Sequence, residues 1–444
     1  MKKILAAVLT AAMFCLSSCL YSGGSVDSLL HPPRLNDEQN DIWLALKRTI
    51  QSDTIKLVYP LRGENRSAII LQNLDGEPSE EAVVFYQPSS SSTASTPIRM
   101  NILDKVDGQW QSMHDIVLEG TQVEDVAILN VGTGVPLLAL GLSYAGDGGS
   151  SLLKVIGFDG SLLSTLFSQY YQAKIIGDLT VGGTDDCLLI QSRGEEEGLG
   201  SRAVFFQWED GTYTEQASTT LNPEVTRYGN LYDGYLRNGT RAIYLDCYKG
   251  TELMTTEILS LQVSQGGAEL ENLTYDSETM TSVGIDRPAG ISCYDLGRDG
   301  VIEIPGQRLL SGYEEGEPGV IYLTDWYHYA DGEFVRQLSA YVSSSLGYLL
   351  QFPEKWVNHV SIRRTTQQNE ILFYEYQRGS DPVKNELLYQ KVDSRRNWEK
   401  KEANSDYELI DTRGQLVYLA KIPKTDSPLR ITIAQVKEYF SQMI

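Results

Sequence analysis

Five stretches of this chain repeat one another, and that repetition limits the fold more than any single motif does. They are "AIILQNLDGEPSEEAVVFY" from Ala68, "DVAILNVGTGVPLLALGL" from Asp125 and "AKIIGDLTVGGTDDCLLIQ" from Ala173, then "YGNLYDGYLRNGTRAIYLD" from Tyr228 and "GISCYDLGRDGVIEIPG" from Gly290. Four of the five open with a short apolar strand ending in Asp or Asn, and all continue through a Gly-bearing loop into a second apolar strand. The matching polar residues are Asn73, Asn130, Asp178, Asp233 and Asp295, spaced by 57, 48, 55 and 62 residues. After each unit comes a hairpin of alternating residues. Its turn is Asp-Gly at Asp107, Asp159, Asp210 and Asp331, and Gly266-Gly267 in the fourth unit. Such turns need positive φ, which Gly allows and Asp tolerates.

Each unit therefore reads as two strands, a link and a two-strand hairpin. Four antiparallel strands recurring about every 50 residues form the pattern of a β-propeller blade. A single blade cannot cover both its faces, so blades must pack side by side. The expectation is a mainly β fold, with a β-propeller of four-stranded antiparallel blades over residues 54–339 and five repeats visible. The strand "TIKLVYPL" from Thr54 is expected to complete the last blade and close the ring; an array of β-sandwiches would satisfy the same pattern. Residues 37–53 read as a helical lead-in, with Asp37 as cap and Ile42, Leu46 and Ile50 on its apolar face. Residues 340–444 hold 15 Lys/Arg against 13 Asp/Glu, whereas the whole chain carries −22. That shift marks a boundary near 340, followed by a small C-terminal α+β domain that ends in a helix over "TIAQVKEYFSQMI" from Thr432, with Ile433, Val436 and Phe440 on one side.

The repeats resemble the FG-GAP or VCBS type found in integrin-α-like propellers, over about residues 55–339. Units of that family carry a calcium loop, D-x-D-x-D-G-x-x-D, between their first two strands. In "DLGRDGVIE", Asp295 matches the first ligand, Asp299 the third, Gly300 the bend and Glu303 the last carboxylate, while Gly297 replaces the second acid. The resemblance thus implies calcium as a cofactor at Asp295, Asp299 and Glu303. The first unit keeps Asn73, Asp75 and Glu81, and the others keep less. The same residues also fit a plain turn in which Asp or Asn caps the backbone.

The first 18 residues have a basic start at Lys2 and Lys3 and an apolar run from Ile4 to Leu16, as in a signal peptide. "LSSC", ending at Cys19, resembles the lipobox of bacterial lipoproteins, and that resemblance implies a diacylglyceryl (palmitate-bearing) lipid on the Cys19 thiol. Residues 19–36 would then tether the chain to the extracytoplasmic face of a bacterial cell membrane. A chain this acidic repels nucleic acid.

No catalytic pattern emerges. Ser143 in "GLSYAG" lacks the second glycine of a nucleophile elbow, and "SLLK" from Ser151 falls on an expected strand. The four His scatter, and Cys187, Cys247 and Cys293 sit in strand-like runs as small buried residues. The expected role is a non-catalytic binding or scaffold protein of the cell envelope, with a protein or glycan partner. The alternative is a surface glycan-cleaving enzyme that uses carboxylates in the propeller channel.

Overall fold

The computed structural model describes residues 36–50, 55–88, 96–144, 149–192, 200–377 and 385–443. It is mainly β. The first sheet holds β1 (Ile55–Leu57), β2 (Ile69–Gln72), β3 (Glu81–Pro88), β4 (Arg99–Val106) and β5 (Gln109–Val117). The second runs β6 (Gln122–Leu129), β7 (Leu137–Ser143), β8 (Ser151–Phe158) and β9 (Leu163–Tyr171). The third is β10 (Ala173–Gly177), β11 (Asp186–Gln191), β12 (Arg202–Glu209) and β13 (Thr212–Thr220). The fourth is β14 (Arg227–Tyr235), β15 (Arg241–Lys249), β16 (Leu253–Ser264) and β17 (Gly267–Asn272). A short excursion follows, with β18 (Tyr275–Asp276), β19 (Thr281–Ser282) and β20 (Arg287–Pro288). The fifth sheet is β21 (Ile304–Leu309), β22 (Tyr322–Ala330), β23 (Glu333–Ser343) and β24 (Tyr348–Gln351). All the repeat sheets are antiparallel meanders, one to each sequence unit.

The second strand of each of the first four units is buried on both faces, and alternate residues serve different neighbours. In β3, Val83 and Phe85 join the core shared with the second sheet, while Val84 and Tyr86 turn the other way. In β7, Leu138 and Leu140 face the first sheet and Leu137 and Ala139 the third. In β11 and β15 the same alternation continues, Leu188 and Ile243 meeting between the third and fourth sheets. Tyr244 and Ile304 then join the fourth sheet to the fifth. The sheets thus pack face to face in chain order, each core built from strands of two neighbours.

The outer face of the first sheet is covered by α1 (Asp37–Ile50), whose Ile42, Ala45 and Leu46 pack on Ile69, Val84 and Tyr86. The cap of α1 is Asn36 rather than Asp37: its side chain accepts the Gln39 N–H while Gln39 returns a bond to the Asn36 N–H. The far end is covered by a sixth sheet, ordered β25 (Val360–Arg364), β26 (Glu370–Glu375), β27 (Glu386–Ser394), β29 (Leu416–Lys421) and β28 (Glu408–Arg413). Two helices accompany it, α2 (Arg395–Glu399) and α3 (Ile433–Tyr439). A capping box at Thr432 starts α3, but the expected helix stops at Tyr439. Phe440–Gln442 forms β30 on the edge of β24, where the Phe440 ring stacks on Tyr348 at 5.7 Å. Residue 340 falls inside β23, and the fifth and sixth sheets share one apolar core.

Further details depart from expectation. The strand after Thr54 does not join the last sheet. β1 pairs with β3 of its own sheet, Leu57 opposite Tyr86, because the other half of that β3 edge is already taken by β2. The fourth hairpin closes at Ser264 opposite Gly267, so its turn is Gln265-Gly266. In the second sheet Phe158 pairs with Leu163, so the turn is the four residues Asp159–Leu162, with Gly160 and not Asp159 at positive φ. The other turns hold: Asp107, Asp210 and Asp331 adopt φ of 52°, 48° and 51°, each followed by Gly at positive φ. Those hairpins and that of the second sheet also share a bulge, with Met113, Leu166, Gln216 and Gln337 as the extra residues of the outer strands.

If α1 is the cover of the first sheet, Leu46→Ala, at a fully buried position, should lower stability by about 2–5 kcal/mol in denaturant unfolding. A loss within about 0.5 kcal/mol, as at a surface position, would show that the helix is dispensable.

Candidate functional site

In four of the five units the loop between the first two strands folds around its first polar residue. Asp178 accepts the N–H groups of Gly182 and Gly183 at 2.8 and 3.0 Å. Asn130 accepts Gly132 N–H at 3.1 Å. Asp295 accepts from Asp299 N–H and Gly300 N–H at 3.1 and 2.9 Å, and Asp299 accepts from Val301 N–H at 3.1 Å. Asp295 and Asp299 are therefore engaged in holding their own turn. Glu303 is buried behind them, its Oε2 accepting Leu296 N–H at 2.8 Å. Burial pushes its carboxyl from 4.5 up to about 7, against the pull of that bond and with Asp299 and Asp295 adding to the rise. Among the described residues, the acids whose carboxylate oxygens gather within 4.8 Å as a trio are Asp75, Glu81 and Asp104 of the first sheet, not these three. In the fourth unit Asp233 is ion-paired with Arg241. Cys19 lies outside the described residues. Of the nucleophile-like patterns, Ser143 donates to Glu124 and Lys154 is held by Glu119.

A polar concavity lies in the fourth sheet, where a strand edge is left open. β16 is twelve residues long. β20 pairs with its start at Leu253 and Met254, and β17 with its end from Leu259 onward. Between them, Ile258 N–H is taken by Thr274 Oγ1 at 3.1 Å, and Ile258 C=O by Leu273 N–H at 2.8 Å. A pocket of about 160 Å³ opens at this gap, floored by Thr255, Thr256 and Glu257 and flanked by Thr274, Ser282 and Lys249. Glu257 is 2% exposed. It accepts Asn222 N–H at 3.2 Å and Asn272 Nδ2 at 2.5 Å. Burial nevertheless holds its carboxyl above the usual carboxylate range. Lys249 lies 3.2 Å from Glu224 and 3.3 Å from Asp286. Burial opposes its charge, but these two acids outweigh that and raise it.

On the other face of β16 sits a fully buried ion pair, Arg287 to Asp246 at 2.6 Å. Arg287 also donates to Ile291 C=O at 2.7 Å and to Thr256 Oγ1 at 3.0 Å, and Tyr232 donates to Asp246 at 3.2 Å. Thr256 thus joins the pocket floor to the ion pair. Nothing in the sequence marked this pair, because Arg287 stands in a polar run, "IDRPAG", with no motif around it. Cys187, Cys247 and Cys293 are unbridged and buried, as expected. Burial pushes all three thiols up, Cys187 to about 12, so none is a ready nucleophile.

A wider groove of about 780 Å³ continues from the pocket through Thr274 and Val283 toward the fifth sheet. Its walls hold Tyr275 and Tyr329, with Glu271, Asp276, Glu278 and Asp331 around them. Pocket and groove together offer hydroxyls, carboxylates and one ammonium, while the Tyr275 and Tyr329 side chains are themselves buried.

No protein family matches the chain in sequence, and no curated protein matches it. Several solved structures align with it loosely. A putative 6-phosphogluconolactonase from Bacteroides uniformis is 10% identical with a TM-score of 0.27, over 68% of this chain and 80% of its own. Sqt1 from Saccharomyces cerevisiae is 12% identical with a TM-score of 0.29, over 72% and 93%. A europium-containing methanol dehydrogenase is 10% identical with a TM-score of 0.25, over 77% and 85%. At such similarity none transfers a fold or a function.

Two outcomes follow from the buried charges. Arg287→Met leaves Asp246 buried without its cation and should cost about 3–5 kcal/mol, most of it recovered when Asp246→Leu is added. Glu257, raised in the folded chain, binds its proton more tightly there than when unfolded. Its contribution is complete below about pH 4.3 and declines as pH climbs above that. Glu257→Gln should remove that part of the slope in stability against pH; profiles parallel to wild type would refute the assignment.

Proposed function

We propose that this chain is a lipid-anchored, extracytoplasmic binding or scaffold protein of the bacterial cell envelope, without catalytic activity, attached through Cys19. In this reading the five sheets stand as the blades of a degenerate, unclosed propeller, with α1 covering the first blade and the sixth sheet the last. Sheets packed face to face in chain order and the repeated bulged hairpins support that arrangement. The observation that carries the binding role is the groove between the fourth and fifth sheets, walled by acids and tyrosines and continuous with the Glu257 pocket. Carboxylates suit a partner rich in cationic or hydroxyl groups, such as a basic peptide or a sugar. The lipid tether would hold that groove within reach of envelope protein or glycan.

The test is a crosslinking pull-down of the full chain from its native membranes, read for both proteins and glycans, with Cys19→Ser as control. Wild type should sediment with membranes and the Cys19→Ser chain should not. Glu271→Lys with Glu278→Lys, both exposed groove positions, should lose the captured partner while keeping the melting temperature. Capture that survives these changes removes the groove from the role. Release of reducing sugar from envelope polysaccharide makes the chain an enzyme and overturns the reading.

A further inference from the structure

The first and third sheets build the same corner from opposite chemistry. In the third, Asp186 follows the loop's first residue, Asp178, by eight positions and is 1% exposed. Both its oxygens are satisfied: Thr180 Oγ1 donates to Oδ2 at 2.8 Å and Gln207 Nε2 to Oδ1 at 3.2 Å. Thr180 is the loop's third residue. Gln207 lies one step beyond the Cys187–Phe206 pair, across the ladder from Asp186.

In the first sheet the matching residues are Glu81, Asp75 and Asp104. Glu81 follows Asn73 by eight positions, and Asp75 is the third residue of that loop. Asp104 lies one step beyond the Ala82–Leu103 pair, across the ladder from Glu81. The hydroxyl and the amide have both become carboxylates. Glu81 is fully buried. Its Oε2 accepts Leu74 N–H at 2.6 Å, but Oε1 has no hydrogen-bond partner. Oxygens of the three carboxylates lie within 4.8 Å of one another. Like charges directly across a ladder repel, and a buried oxygen without a donor is costly. The fourth unit meets a similar need with a built-in cation, since Arg241, eight residues after Asp233, pairs with it.

We propose that Asp75, Glu81 and Asp104 hold a calcium ion. Calcium takes oxygen ligands at about 2.3–2.6 Å, so opposed ligands stand about 5 Å apart, which accommodates this cluster. Asp75 and Asp104 are only half-buried, leaving a path for the ion and room for water to complete its shell. Asn73 is not a ligand: its side chain accepts Gly76 N–H at 2.8 Å and donates to the Glu77 carbonyl. The set therefore comes from the loop and from across the sheet, not from one loop alone. Asp75 also lies against the second sheet's hairpin, since a Cβ at Gly160 would stand 3.1 Å from its Oδ2. The ion would fasten that junction.

The test uses the full chain with calcium chloride as the probe, by titration calorimetry and by melting in calcium against chelator. Wild type should bind one ion at this cluster with Kd below about 1 mM and melt higher in calcium. Asp104→Asn should weaken binding at least tenfold. Asp75→Thr with Asp104→Gln installs the third sheet's donors. That variant should melt above wild type in chelator and no longer respond to calcium, a gain that a merely damaged fold cannot give. No binding heat and no calcium shift in wild type overturns the proposal. An equal response in the double variant places the ion elsewhere and also overturns it. So does a wild-type melting point that ignores calcium but climbs as pH falls, because the cluster then shares a proton instead.

Discussion

A small β-sheet has two faces, and here both faces of almost every sheet are apolar. That constraint organises the molecule. β3, β7, β11 and β15 send alternate side chains to different neighbours, so no inner sheet can be removed without exposing the faces of two others. The arrangement also needs two terminal covers. The chain supplies a helix at one end and an antiparallel sheet with two helices at the other, the second sharing its core with Leu310, Ile321 and Leu323 at the edge of the fifth sheet. Stability is then a sum of neighbouring interfaces rather than one central core.

Within this order the units diverge at one corner, where the second strand leaves its loop. The second unit fills it with Leu138. The third buries an aspartate under neutral donors, the fourth pairs an aspartate with an arginine, and the fifth buries a glutamate against a backbone N–H. One backbone geometry tolerates this range because the loop's first residue caps the turn by itself in most units. The corner is free to change its chemistry once the turn no longer depends on it. The fourth sheet diverges most. It lacks the hairpin bulge of the other four, lengthens β16, and fills the gap along that strand with the excursion bearing Arg287.

The repeats, three of the Asp-Gly turns and the helices α1 and α3 were legible in the sequence because each rests on local chemistry. Positive φ at Asp107, Asp210 and Asp331 is a property of two residues, and Thr432 caps α3 through a bond three residues away. The misses share a different origin. Asn36 and Asp37 are both good caps, and only the reciprocal bond with Gln39 selects the first. β1 reads as a plausible closing strand, but the free half of the β3 edge claims it. Phe440 continues the helical pattern yet turns to a strand where Tyr348 and Tyr418 offer an aromatic surface. The bulge residues have no common signature, and the corner partners Asp104 and Gln207 sit more than twenty residues from the acids they face. Register across a ladder places such pairs, and register is settled by packing on both sides at once.

The cover over the first sheet has a mechanical consequence. α1 is attached by Ile42, Ala45 and Leu46 and by an ion pair from Glu38 to Lys105 at 2.7 Å, whereas every strand is laced to its neighbour by a ladder. Tension entering the chain ahead of Asn36 meets this weakest attachment first. Under load α1 would peel away as a unit before any ladder yields, baring Ile69, Val84 and Tyr86 to whatever lies nearby. The molecule would therefore lengthen in two stages, a soft one at the helix and a stiff one at the sheets.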